Sequence, residues 1–224
     1  MSKLSTKNIP ISGGGTPKTL QPSNCVAKIN DVTLDEFTFK PGSYHLVLHL
    51  EGVDRGPEFE GFYINKDKPE LGRHKGQVGK VKASEWAYAD GTTKSGIVIS
   101  RDTEIMKYLN SICKELDTTW LLDQDGKHDT IESLVKKFSK DKPFKNISMN
   151  FCIAGKEYLN KDGYTNYDLF LPKYSKGEVP FEICDKPKSK LMKYNDVDHI
   201  KKKKVENVTS FGADTTSTAS DFEL

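Results

Sequence analysis

Hydrophobic and polar residues alternate along most of the first hundred positions, with the two-residue period of a β-strand. The clearest case is 43–52, where three leucines share one side and His45 and His49 lie on the other. Similar patterns predict five consecutive strands, at 25–34, 43–52, 59–65, 80–88 and 94–102. Consecutive strands argue against a parallel sheet built from alternating strands and helices.

The period changes to that of a helix after position 100. Apolar residues recur at helical spacing, and Ser100 or Asp102 is a suitable N-cap. The apolar stripe consists of Ile105, Leu109, Ile112 and Leu116. A second helix is predicted from Thr130 to Lys140, followed by a hairpin of two strands, 146–159 and 163–174.

This order of elements predicts a mainly β protein with a helical insert. We expect an OB-like β-barrel in which the helices close one end and the last hairpin borders a ligand groove. Glycines at several positions supply the bulges that a closed sheet needs: Gly61, Gly76, Gly79 and Gly96. A β-sandwich with a helical insertion is the alternative architecture.

Composition divides the chain into four parts. Residues 1–23 are rich in Ser, Thr, Gly and Pro and are expected to form a flexible arm, and 24–184 form the barrel domain. A lysine-rich linker is predicted at 185–204 and a disordered acidic tail at 205–224. The net charge of +2 therefore conceals a basic segment followed by an acidic one.

Only three of the 34 basic residues are arginines. Lysine is a point charge suited to phosphates, whereas the planar arginine fork recognises guanine edges. The four cysteines are far apart, without zinc-ligand spacing, and are expected to be reduced structural thiols. We find no transmembrane or signal segment, so we expect a soluble intracellular protein.

Aromatic and basic residues are interleaved at 80–88. In a continuous strand Lys80, Lys82, Trp86 and Tyr88 would form one exposed row. Cations that follow phosphates and rings that stack on bases are the ingredients of sequence-tolerant single-strand binding. The alternative is a solvated strand with Trp86 tucked under a loop. Further candidate DNA-binding residues are Tyr63, Arg73, Lys75, Lys94, Lys156, Tyr158 and Tyr164.

Motifs for catalysis or cofactor binding are incomplete in this chain. DQDGKHD at 123–129 lacks the full calcium-loop spacing and its final Glu. GRHKGQVGK at 72–80 lacks the order of a nucleotide P-loop. We therefore expect no enzyme activity, no cofactor and no metal. A metal-dependent nuclease, and a structural or adaptor protein that uses a β-sandwich as an interaction module, remain alternatives.

Three segments carry a resemblance to a known family: residues 59–91, the hairpin at 154–173, and the ending ASDFEL. Together they resemble the single-stranded DNA-binding proteins of crAss-like bacteriophages. The resemblance implies an OB-fold protein that coats single-stranded DNA during phage replication and recombination, in the cytoplasm of the infected bacterium. The acidic tail is a candidate site for replication proteins, through Asp221, Phe222, Glu223 and Leu224.

Overall fold

The computed structural model describes residues 19–53, 74–175, 177–184 and 186–202. The strands in these ranges are β1 (Ser23–Glu36), β2 (Tyr44–Gly52), β3 (Val78–Lys82), β4 (Gly91–Thr92), β5 (Val98–Ile99), β6 (Ser148–Leu159), β7 (Thr165–Phe170), β8 (Phe181–Ile183) and β9 (Ile200–Lys201). The helices are α1 (Arg101–Glu115), α2 (Ile131–Asp141) and α3 (Asp196–His199).

Five strands close into a barrel in the order β1, β2, β3, β7 and β6, and β6 pairs back with β1. All neighbours are antiparallel except β3 and β7, which are parallel. Both long helices lie between β3 and β6 in the chain. This arrangement confirms the predicted OB-like barrel with a helical insert, and it excludes the β-sandwich.

Strand β1 reaches both of its neighbours because it is long and bent. Its first half pairs with β6, and its second half pairs with β2. The register with β2 shifts between Ile29 and Asp31, as at a β-bulge. A bulge increases local twist, which allows one strand to turn the corner of a small barrel.

The core forms where the inward side chains of the strands meet α1. Leu46, Leu48 and Leu50 of β2 are almost fully buried, as their alternation predicts. They belong to the same hydrophobic core as the apolar stripe of α1. The N-cap of α1 is Ser100, whose hydroxyl accepts a hydrogen bond from Thr103 N. Burying one leucine side chain stabilises the folded state by about 1.5–3 kcal/mol. A shift of the pairing by one residue would expose all three leucines, so this alternation strongly favours one register.

Two of the predicted strands are corrected by the structure. The strand predicted at 80–88 ends at Lys82, and the chain bends over 83–86. The strand predicted at 94–102 is reduced to β5, which pairs with β4 in a separate two-stranded ribbon. The strand predicted at 59–65 lies outside the described residues.

The predicted boundaries of the arm and the linker also change. Leu20, assigned to the arm, is buried, and its backbone N donates to Val78 O. Residues 186–202, assigned to the linker, pack on the barrel as a segment that we call the C-terminal strap. Asn24 holds it by accepting from Tyr194 N at 2.6 Å and donating to Met192 O at 2.8 Å. The predicted tail at 205–224 lies outside the described residues.

All four cysteines are buried thiols. Burial raises the pKa of the Cys152 thiol to about 12, so it stays protonated and poorly reactive at neutral pH. Among the described residues, no helix is long and apolar enough to cross a membrane.

Candidate nucleic-acid interface

One side of the barrel presents outward side chains from β2, β3, β7 and the second half of β6, and we call it the outer face. Lys80 and Lys82 of β3 point outward because Val81 between them is buried in the core. Lys80 pairs across the strands with His49, and Lys82 with Val47. The predicted alternation of Lys80 and Lys82 is therefore correct for the length of β3.

An ion pair crosses the parallel strands at the centre of the outer face. Lys82 Nζ lies 2.6 Å from Asp168 Oδ2, and the two side chains are 26% and 48% exposed. Asp168 also pairs across the sheet with Lys156, which is exposed. A phosphate that approaches Lys82 must therefore compete with a carboxylate, whereas Lys80 forms no ion pair with a described residue.

Aromatic side chains border one end of the outer face, in the β1–β2 loop at 37–43. Phe39 is 88% exposed, and its ring centroid lies 5.6 Å from that of Phe37. Phe37 in turn contacts His45 edge to face at 5.6 Å. Arg101 supports the loop by donating to Gly42 O at 3.1 Å. A supported loop with an exposed ring is a suitable platform for base stacking.

His45 lies under this loop on the outer face. It is 7% exposed, and its Nδ1 has no hydrogen-bond partner among the described residues. Burial lowers the pKa of His45, and the nearby Lys82 lowers it further. His45 is therefore neutral at neutral pH and adds no positive charge to the face.

The β6–β7 loop at 160–164 borders the opposite end. Asn160 shapes this loop by accepting hydrogen bonds from Asp162 N at 3.0 Å and Tyr164 N at 2.8 Å. Gly163 adopts a positive φ of 80°, which favours glycine. The loop projects Tyr164, which is 71% exposed, beside Tyr158, which is 45% exposed. Both tyrosines are therefore available to a ligand on the outer face.

Trp86 lies beyond the bend that follows β3. It is 64% exposed and lines a cavity of about 300 Å³ that we call the Trp86 cavity. Phe170 of β7 forms the base of this region, with Lys201 Nζ 5.8 Å from its ring centroid. Lys201 also bonds Glu85. Phe170 pairs with Lys82, so the Trp86 cavity continues the outer face.

The structure separates several residues that the sequence grouped as candidates for DNA binding. Tyr88 packs against the core, and its backbone forms a bridge with Tyr44. Burial raises the Tyr88 pKa. Lys94 lies on the β4–β5 ribbon, and Lys75 lies exposed in the turn before β3. The remaining predicted site residues lie outside the described ranges: Tyr63, Arg73, Asp221, Phe222, Glu223 and Leu224.

Sequence reasoning missed the aromatic contribution of the β1–β2 loop. The signal was present, because Phe37 and Phe39 alternate immediately before the Lys-Pro-Gly turn. It also missed Phe170 and Lys201, which are 31 positions apart in the chain. No local pattern connects those two residues, because the contact depends on the C-terminal strap.

Within the described ranges, no group of three or more His, Cys, Asp or Glu side chains could hold a metal ion. Comparisons of the chain with protein-family models, curated proteins and solved structures each found no match.

Proposed function

We propose that this protein binds single-stranded DNA on the outer face, with little preference for sequence. The observation that carries the proposal is the placement of exposed aromatic residues at both borders of a lysine-bearing barrel face. OB-fold proteins bind oligonucleotides on their second and third strands and on the two loops that flank them. In this chain the corresponding parts are β2, β3, the β1–β2 loop and the β6–β7 loop.

The available cations favour contacts to phosphate over recognition of bases. Lys80 and Lys156 are exposed on the outer face. Arg101 is the one arginine in the described ranges, and it bonds Asp102 and Gly42 while lying 4.8 Å from the Tyr44 ring centroid. Lysines with stacking rings are the combination that binds single strands without reading their sequence.

The resemblance to phage proteins supplies the proposed setting. The protein would coat single strands during replication or recombination in the cytoplasm of an infected bacterium, without catalysing a reaction. Residues Asp221 to Leu224 would recruit replication proteins. The adaptor alternative relied on a β-sandwich as its interaction module. Because the fold is a barrel, that argument for an adaptor no longer applies.

Fluorescence anisotropy with labelled oligo-dT tests the proposal directly. The oligonucleotide is titrated with protein at low and at high salt, and unlabelled duplex of the same length is added as a competitor. We expect binding at low salt, a steep loss of affinity with salt, and weak competition by duplex. Absence of binding at low salt would overturn the proposed function.

A further inference from the structure

A second cavity, of about 370 Å³, lies between α1 and the chain segments that follow β3 and β7. We call it the tyrosine cavity, because Tyr88, Tyr108 and Tyr174 all line it. Its volume is within the range of small-molecule sites, roughly 300–1,000 Å³. Nothing in the sequence analysis assigned a role to Tyr108 or Tyr174.

The aromatic walls of the cavity are fixed by the core. The Tyr108 ring lies 5.7 Å from Phe181 and the Tyr174 ring lies 6.5 Å from the same residue, between centroids. Phe181 is itself 1% exposed, so it holds both rings in place. Tyr174 remains 50% exposed and leaves one side of the cavity open to solvent.

Tyr108 has an unusual polar environment for a buried residue. It is 8% exposed, and its hydroxyl has no hydrogen-bond partner among the described residues. Burial raises the pKa of this hydroxyl well above its usual value, and the nearby Tyr88 and Tyr174 raise it further. A buried hydroxyl without a partner costs free energy. The oxygen itself has almost no accessible surface, so a small movement of the Tyr108 ring is needed before a ligand in the cavity can bond it.

Two lysines and one carboxylate, Glu104, line the cavity, which gives its rim a net positive charge. Lys107 lies on α1 and bonds Glu104 at 2.6 Å. Lys173 is exposed and forms no ion pair with any residue in the described part of the chain. Lys173 also lines the Trp86 cavity, so the two cavities are neighbours along the segment 171–173. A path of cations and rings therefore runs from Lys82 past Trp86 to the tyrosine cavity.

We propose that the tyrosine cavity holds one nucleobase, turned out of a DNA strand that is bound on the outer face. The inference rests on the proposed function and adds a specific base-binding pocket to it. Tyr88 and Tyr174 would offer their rings to the base, and a small movement of the Tyr108 ring would let its hydroxyl bond the polar edge. Lys173 would hold the adjoining phosphate. Unstacked bases are commonly bound in this way, by aromatic rings together with hydrogen bonds to their edges.

Tyr108→Phe separates a binding role from a structural one. The variant loses only an oxygen that has no partner among the described residues, so its stability should be equal to or higher than that of the parent. Its oligo-dT affinity should fall by about fivefold, because the bond to the base is lost. Lys173→Gln should also weaken binding, whereas Lys136→Gln, an exposed lysine on α2, is the matched control.

Photo-crosslinking then locates the base. An oligonucleotide that carries iododeoxyuridine is irradiated with the protein, and modified peptides are identified by mass spectrometry. We expect crosslinks to Tyr88 or Tyr174, together with the weaker binding of Tyr108→Phe. Crosslinks confined to Trp86 and the two loops, with unchanged binding by Tyr108→Phe, would overturn the pocket and leave the proposed function intact. Absence of oligonucleotide binding would overturn both.

Discussion

Lys82 and Asp168 form an ion pair across the two parallel strands of the barrel, with 2.6 Å between Lys82 Nζ and Asp168 Oδ2. The pair lies at the centre of the outer face, where Asp168 also opposes Lys156. A half-exposed pair of this kind contributes little to stability, about 0–1 kcal/mol. Its larger effect is on the electrostatic potential that a phosphate meets, because one carboxylate offsets two neighbouring lysines.

Asp168→Asn should strengthen binding to single-stranded DNA. Removing the carboxylate frees Lys82 for phosphate, so affinity at low salt should rise severalfold. The salt slope, which is the slope of log K against the logarithm of salt concentration, should steepen by about 0.7. Anisotropy titrations at several salt concentrations measure both quantities. Asp125→Asn, at an exposed position between the helices, is the matched control. Equal affinity in Asp168→Asn and the parent would show that DNA does not contact this part of the face.

Lys80→Gln should have the opposite effect. Lys80 is exposed and forms no ion pair with a described residue, so its loss removes a phosphate contact without leaving an unpaired acid. The salt slope should become shallower by about 0.7, with lower affinity at low salt. Lys136→Gln changes the net charge equally and should leave the slope unchanged. If both variants lose the same affinity, only net charge matters and the outer face is not the binding site.

Phe39→Ala and Trp86→Ala should each weaken oligo-dT binding without unfolding the protein. Both side chains are mainly exposed, at 88% and 64%, so little apolar burial is lost. Stacking of one base contributes roughly 1–3 kcal/mol, which corresponds to a loss of about fivefold or more. Leu122→Ala removes a similarly exposed apolar side chain, 75% exposed, as the control. Unchanged affinity in both aromatic variants would contradict the stacking model.

His45 should make the protein less stable in mild acid. Its pKa is lowered in the folded state, chiefly by burial, so below the ordinary value of about 6.5 the unfolded chain binds the proton more readily. The free energy of unfolding therefore keeps its full value above about pH 6.5. It decreases as the pH falls from there towards the lower pKa of the folded state. Urea unfolding at a series of pH values measures this dependence.

His45→Gln provides the comparison for that measurement. The variant removes the titrating group, so the free energy of unfolding should fall less steeply between neutral and mildly acidic pH than in the parent. Lys82, Asp168 and Asp35 also influence His45 and are retained in both proteins. Parallel curves for the two proteins would show that His45 does not titrate differently on unfolding.

Asn24→Ala should destabilise the barrel by releasing the C-terminal strap. Asn24 is 2% exposed and bonds the backbone of Met192 and Tyr194, which would be left without these partners. The expected loss is about 1–3 kcal/mol in urea unfolding, with faster proteolysis at 186–202. Asn30→Ala, at an exposed position on the same strand, should have little effect. A strap that is cleaved equally in both variants would contradict its anchoring by Asn24.

Local periodicity predicted the elements whose stability is decided by neighbours in sequence. The β2 alternation, the α1 stripe with its Ser100 cap, and the β6–β7 hairpin all appear where the pattern placed them. These features follow from side-chain direction and from capping, which act over two to four residues. Their order was enough to indicate a barrel with a helical insert.

Tertiary contacts decided what the pattern left ambiguous. Alternation continued past Lys82, yet the strand ends there, and Tyr88 turns inward to pair with Tyr44. The lysine-rich segment at 186–202 appeared too polar to pack. Buried Glu182 holds it nevertheless, by bonding Ser189 and Lys190 N. Buried polar groups that are satisfied, here Glu182 and Asn24, can anchor a segment that composition predicts to be loose.

The sequence by itself therefore determined the barrel and the kinds of side chain available to a nucleic acid. Only the folded structure decided which of them share a surface: Lys80 and Lys82 lie there, Lys94 does not, and Phe39 joins them from a distant loop. The physical reason is that strand alternation specifies inside and outside, while position around a closed barrel is set by strand pairing between residues far apart in the chain.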